Sequence, residues 1–266
     1  MVEKNIEKWC QVNKMIINVE KTKAMVISTK QKQTRSIENF NLNLFLNDSK
    51  LKLVTEQKPL GILVTNTLNW NEHVNHVCKK ISKGIFALKK LKLYMDLKTR
   101  NLFFNAYILP HFDYCNTIWG HSSSEIQTRM LKLQKKAARY ILDVDYSHPS
   151  RGLFKTLKWL PFLNRVQFNT AILMYKSVNG QSPIYLKNMF QFCSDQHGHL
   201  TRSNTSHNLV PPPIKIELYK HSFTYQGIVL WNSLSLNMKM APSLSSFKKL
   251  YLEEQFSTLW PEELNV

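Results

Sequence analysis

Acidic residues and glycine are the scarce components of this 266-residue chain, which carries 18 Asp+Glu against 36 Lys+Arg and only 7 glycines. So little glycine, with 10 prolines, excludes collagen-like and Gly/Pro-rich disordered classes. Cysteine is sparse as well. Cys10, Cys78, Cys115 and Cys193 stand far apart with no CxxC pair, the pattern of free thiols in a reducing compartment. No run approaches the ~18 uninterrupted apolar residues of a membrane span. The first residues are polar and charged, without the apolar stretch of a signal peptide. These absences set the expectation of an intracellular protein, nuclear or cytoplasmic and not secreted, with no membrane partner. Two chemical absences matter more: there is no Asp-Asp pair and no Gly-rich phosphate-cradling loop.

What is present is apolar residues at 43% and a formal net charge of +18. The length suffices for one large core or two ordinary ones. The charge points to a polyanionic partner, RNA or DNA first among them. The excess is uneven: residues 1–151 hold 25 bases and 12 acids, whereas 152–266 hold 11 and 6. The first part is therefore the place to look for a polyanion groove.

The hydrophobic period divides the chain. Residues 3–12 read as a short helix with Ile6, Trp9 and Cys10 on one side and Asn13 as a stop. Met15–Ile17 and Ala24–Ile27 read as short strands, and residues 29–39 as a loop. Phe40, Leu42, Leu44 and Leu46 alternate, Asn47-Asp48-Ser49 is turn chemistry, and Leu51–Val54 returns, which spells a hairpin. Pro59–Val64 reads as another strand, with Gly61 marking a bend or a close approach. After Trp70 the period becomes 3.6: Val74, Val77, Ile81, Ile85, Leu88 and Leu91 form one helix stripe. Asp96 is a candidate N-cap for a second helix ending at Pro110. Ser122-x-x-Glu125 is a capping box for a third, with the stripe Ile126, Met130, Leu133, Ala137 and Ile141. Farther on, Pro161 starts a helix, Gly180 stops it, residues 194–213 make an exposed loop, and Ser243 caps a last helix. The fold class expected is α+β and predominantly α-helical: a small β-hairpin region over 1–70, a basic helical bundle over 71–152, and a mostly helical 153–266.

Several ordered segments then resemble one family. Trp9 and Asn13–Met25, with Asn18, Lys21, Thr22 and Met25 in register, are similar to the segment that follows the catalytic turn in reverse transcriptases of non-LTR (LINE- or jockey-like) retrotransposons. Lys58–Ile62 resembles the strand of the primer grip, and Leu68–Val74 the link into the thumb. Tyr107–Tyr114, Ile118-Trp119 and Leu133–Arg139 are similar to the thumb pattern. Trp159–Pro161, Arg165, Tyr175–Leu186, Thr201-Arg202 and Leu230–Leu234 resemble the region after it. Each piece is weak alone, but the order and spacing together are specific and cover nearly the whole chain. The resemblance implies the end of a palm over 1–70, a thumb over 71–152 and a C-terminal region over 153–266. It also implies RNA-directed DNA polymerase as the activity of intact relatives, with Mg²⁺ as their cofactor.

The carboxylates that hold the two metals of such an enzyme lie, in the family, upstream of the segments matched here. The expectation is thus a transposable-element fragment with no catalytic carboxylate and no cofactor of its own, inactive alone or complemented by a palm-containing chain. Asp143-Val144-Asp145, Glu253-Glu254 and Glu262-Glu263 read as solvated acids. Cys193, His197, His199 and His207 lack the tight pairing of a zinc knuckle and read as a polar loop. By resemblance alone, Lys21 is a candidate general acid toward pyrophosphate; it reads equally as a phosphate contact or a surface lysine, and Lys23 lies beside it.

The basic helices carry the binding expectation. Lys79, Lys80, Lys83, Lys89, Lys90, Lys92, Lys98 and Arg100 stand among a single acid, Asp96, and Arg129, Lys132, Lys135, Lys136 and Arg139 stand among none. With Lys21, Lys23 and Gly61, all of these except Lys92, Lys98 and Arg100 are the candidate nucleic-acid-binding residues. No base-reading code is visible, so contact with template–primer would be non-specific. The rival readings are a helical module that binds another protein through a stripe such as Val74–Leu91, and an inert remnant. The six tryptophans are spread evenly and most read as core.

Overall fold

The computed structural model describes residues 2–29, 43–46, 49–195 and 206–261. The expected strand start at Phe40 and Leu42, the turn residues Asn47 and Asp48, and His197, His199, Thr201, Arg202, Glu262 and Glu263 lie outside them. The described chain is predominantly helical with a few very short strands. It divides into two compact units, Met1–His76 and Val77–Val266.

The first unit opens with α1 (Val2–Val12), which Asn13 closes by donating from Nδ2 to the Trp9 carbonyl at 2.8 Å. Its strands pair two residues at a time. β1 (Lys23–Ala24) runs parallel to β4 (Lys52–Leu53). β2 (Phe45–Leu46) is antiparallel to β3 (Ser49–Lys50), and β5 (Glu56–Gln57) to β6 (Val64–Thr65). Two expected strands are corrected. Met15–Ile17 is irregular and Ile16 is 97% exposed, and no strand among the described residues pairs with it. Pro59–Gly61 is a 3₁₀ turn rather than a strand start. Pro59 presets its φ, Leu60 sits at φ 48° and Gly61 at φ 89°, and the chain turns tightly before burying Ile62. The expected hairpin is present but short: after Leu51 N–H donates to the Leu44 carbonyl, the strand leaves to join β1.

α2 (Asn71–Leu91) begins in this unit and continues into the second. Its stripe Val74, Val77, Ile81, Ile85 and Leu88 is buried, so that face is spent inside the fold and is not free for a partner helix. Leu91 falls outside it, at 38% exposure. Asp96 caps α3 (Leu97–Phe103) by accepting from Thr99 N–H at 2.8 Å, as expected. The helix does not end at Pro110. A π turn over Phe104–Ile108 leads into α4 (Leu109–Asp113), where Pro110 occupies the first turn. There its missing N–H breaks no helical bond, and the wider π turn absorbs the change of pitch.

After α5 (Asn116–Trp119), α6 (Ser124–Leu142) is capped by Ser123, which accepts from Ile126 N–H, one residue later than the capping-box reading. Ser122 instead donates to the Trp119 carbonyl at 2.7 Å. Within the expected stripe, Gln134 rather than Leu133 takes the buried place. α7 (Ser150–Leu157) and α8 (Phe162–Val178) follow. α8 is the hub, touching α4, α5, α6 and three later helices. Buried residues lie on several sides of it, which is why its amphipathic pattern is faint in sequence. Gly180, at φ 68°, ends it: Gly180 N–H donates to the Ser177 carbonyl and Gln181 N–H to that of Lys176 at 2.7 Å, a Schellman arrangement.

α9 (Ile184–Lys187), α10 (Phe223–Ser233), α11 (Leu236–Lys239) and α12 (Leu244–Leu259) complete the chain, α12 capped by Ser243 as expected. With α8, the helices α10, α11 and α12 build a core that includes Met174, Tyr175, Trp231, Met238, Phe247 and Tyr251. The segment read as an exposed loop is corrected at its end. Leu209 is 1% exposed and bridged to Phe192, and Asn232 clamps its backbone at 2.8 and 2.9 Å. Lys239, 6% exposed, reaches the Ser206 carbonyl and Asn208 Oδ1 at 3.1 and 2.7 Å, so an inward charge secures the same segment.

His121 is buried against Thr170, with Nε2 3.0 Å from the hydroxyl oxygen. Thr170 spends its only proton on the Val166 carbonyl, so His121 Nε2 is the donor. Burial, and secondarily the nearby His221, pushes its pKa down to about 4. The folded value lies below the unfolded one, so the stability is complete above pH ~6.5 and is lost as pH falls toward 4. The expected loss over that window is about 3 kcal/mol. Urea melts of the wild type and of His121→Asn between pH 7 and 4 check this. A variant that loses stability as steeply as the wild type would acquit His121.

Candidate nucleic-acid interface

α2 and α6 lie side by side and run in the same direction. Cys78 Sγ donates to Met130 Sδ at 3.8 Å and lies 4.0 Å from Arg129 Nη2. Just past the ends of both helices, 14 residues on from Cys78 and 13 on from Met130, Lys92 is ion-paired with Asp143. At ~1.5 Å rise per residue the matched stretch is ~21 Å long. Burial against the α6 side raises the Cys78 thiol pKa, and Arg129 partly offsets it.

With the apolar stripes turned inward, both helices point lysines outward. Lys79, Lys83 and Lys90 on α2, and Lys132 and Lys136 on α6, are exposed. Among the described residues, the ion pairs use Lys92, Arg100, Arg165, Lys220 and Lys249, and none of these five. Lys80 and Lys89 flank the α2 row; Lys80 lies close enough to His111 to add to the burial that lowers its pKa.

The remaining candidates divide. Arg129 and Lys135 are half-buried. Arg139 holds the turn after α6, donating to the His148 carbonyl at 3.2 Å with its guanidinium 4.9 Å from the Tyr146 ring centre. Lys92 and Arg100 are structural. Arg100 donates to the carbonyls of Lys92, Met95 and Ile141 at 3.0–3.1 Å, and both bases flank Asp143, whose pKa falls chiefly through the Lys92 hydrogen bond. Lys21, Lys23 and Gly61 belong to the first unit. Lys21 has an exposed side chain, and its N–H donates to Asn18 Oδ1 at 3.0 Å. Lys23 Nζ donates to the Glu20 carbonyl at 2.5 Å.

Two features escaped the reading of residue spacing. Phe86 is 61% exposed within the row Lys79, Lys83, Phe86, Lys90, and Lys90 Nζ stands 5.7 Å over its ring. The spacing of 4, 3 and 4 opposite the buried stripe was the available signal. The second is Asp113 with Arg165, joined fork to fork at 2.5 and 2.6 Å and braced by Asn169. This pair ties α4 to α8, and nothing local announces it.

As for other chemistry, Glu253 is in a surface pair with Lys249 at 3.9 Å, and Asp145 is exposed. Among the described residues no group of three or more His, Cys, Asp or Glu is placed to hold a metal ion, and no helix is long and apolar enough to cross a membrane. Compared with models of protein families, with curated proteins and with solved structures, the chain matches none.

Proposed function

We propose that this chain grips the sugar–phosphate backbone of a nucleic-acid duplex on the outward faces of α2 and α6, and is related to the thumb-containing part of non-LTR reverse transcriptases. The observation that carries the reading is the parallel pair of helices with five exposed lysines that enter no ion pair among the described residues. A charge row of this kind tracks phosphates and leaves base identity unread. Phe86, cushioned by Lys90, offers one ring to an unpaired base. No Asp-Asp pair is present in the sequence, so nucleotidyl transfer is not assigned to this chain by itself.

The test is fluorescence anisotropy with a labelled RNA–DNA hybrid across a salt series, beside primer extension with Mg²⁺. Five phosphate contacts give a slope of log K against log salt of about −4.5, and no extension is expected. Salt-insensitive binding would overturn the backbone reading. Extension of the primer would overturn the separation of grip from chemistry.

A further inference from the structure

Residues 210–216 read Val-Pro-Pro-Pro-Ile-Lys-Ile, and the three consecutive prolines dictate their conformation. Each proline ring locks φ near about −65°. Val210, Pro211 and Pro212 each precede a proline, which disfavours the helical region and pushes them into extended backbone. The outcome is a left-handed polyproline II segment, with three residues and ~9 Å per turn. Residues 211–215 belong to no helix or strand, and Ile216 ends the segment extended, at φ −141° and ψ 143°. Among the described residues, the N–H groups of Ile214 and Lys215 donate to no main-chain carbonyl.

Both ends of this segment are fixed. Upstream, Leu209 is buried with its backbone clamped by Asn232, and Val210 N–H donates to the Gln191 carbonyl at 2.9 Å. Downstream, a 3₁₀ turn over Glu217–His221 leads into the Ser222 cap of α10. There His221 donates from Nδ1 to the His121 carbonyl at 2.9 Å, and Gln226 from Nε2 to the Lys220 carbonyl at 2.7 Å. Between these anchors the segment forms a ridge. Pro211 and Ile214, one turn apart, share one edge of it, and Pro213 stands on the next. All three are exposed, while Pro212 on the third edge is half-buried. Lys215 follows at once, exposed and in no ion pair among the described residues; the nearest acid in sequence, Glu217, is taken by Lys220 at 2.8 Å.

We infer that this ridge is the docking site for a protein domain of the polyproline-II-binding class, with a shallow groove walled by aromatic rings and an acidic side chain at one end. Aromatic faces seat the proline rings, and the acid meets Lys215. A polyproline segment has no internal hydrogen bonds to give up, and this one is already held at both ends, so docking costs little conformational entropy. Addition to the edge of a partner's sheet is the poorer fit, because Pro211, Pro212 and Pro213 carry no N–H to pair with a strand. The ridge lies on neither α2 nor α6, so it stands whether or not those helices grip nucleic acid.

The experiment is an NMR titration of a panel of isotope-labelled SH3 and WW domains with the whole unlabelled chain. Saturable shifts of the groove residues are expected in at least one domain. Pro211→Ala combined with Pro213→Ala is expected to weaken that binding at least ~10-fold, since the rings both fill the groove and fix the backbone. Lys215→Glu, which sets an acid against an acid, is expected to weaken it by a similar factor, and Lys215→Arg to retain it. All three positions are exposed, so circular dichroism melts of these variants should match the wild type. Pro242→Ala, at an exposed proline elsewhere, is expected to leave binding unchanged. No saturable shift in any domain of the panel, shifts confined to residues outside the groove, or an affinity untouched by the alanine pair would each overturn the inference. The last outcome would mean that the net charge of +18 alone attracts the acidic domain.

Discussion

Replacing Lys79, Lys83, Lys90, Lys132 and Lys136 together with glutamine is expected to weaken duplex binding about 10⁴-fold at ~0.1 M salt. Each lysine that neutralises a phosphate releases about 0.9 of a counterion, which is worth roughly a factor of 8 at that salt relative to ~1 M. Five such contacts multiply to between four and five decades, and the salt slope should shrink by about 4.5 in the same variant. The comparison that isolates geometry from total charge is a second variant with Lys155, Lys158, Lys187, Lys215 and Lys249 changed to glutamine. Those lysines are also exposed and lie on other elements, and both variants lower the net charge of +18 by the same amount. If both lose affinity equally, the attraction is diffuse and α2 and α6 form no interface. Lys92 and Arg100 are left out deliberately, since their change would loosen the end of α6 instead.

Trp119→Ala is expected to destabilise the second unit by about 3–5 kcal/mol. The side chain is 0% exposed, stacks on Phe162 with centroids 5.7 Å apart, and donates from Nε1 to the Tyr114 carbonyl at 3.1 Å. Truncation leaves a large void where α5 meets α8 and removes the bond to the Tyr114 carbonyl. For a unit of this size the melting temperature should fall by about 6–20 °C. Trp119→Phe keeps the stacked ring and loses only the N–H, so its cost should stay near 1–2 kcal/mol. Thermal melts of the three proteins decide it: a loss under 1 kcal/mol for the alanine variant would mean that this tryptophan is not part of the packed core.

Local chemistry made some of this fold legible and hid the rest. The stripes of α2 and α6, and the caps Asp96 and Ser243, are written in residues 3 or 4 apart, and the fold has them. Pro59-Leu60-Gly61 was misread because its apolar neighbours outweighed the turn-forming ends. Pro110 was misread because a π turn upstream changes what a proline interrupts. The pairing of β1 with β4 joins residues 29 apart, and that of Asp113 with Arg165 joins residues 52 apart. No window along the chain contains both partners. At the interface, the bases were legible as a composition. Their division into free lysines, the tethered Arg139 and the helix-pinning Lys92 and Arg100 required the positions of Asp143, His148 and the Ile141 carbonyl.

Because α2 and α6 point the same way, their peptide dipoles add rather than cancel. One end of the lysine rows therefore carries the partial positive charge of two helix starts, and the other the partial negative charge of two helix ends. The surface has a head and a tail. An anion drawn to these rows would meet a stronger pull at the end where the two helices start than at the end where they finish.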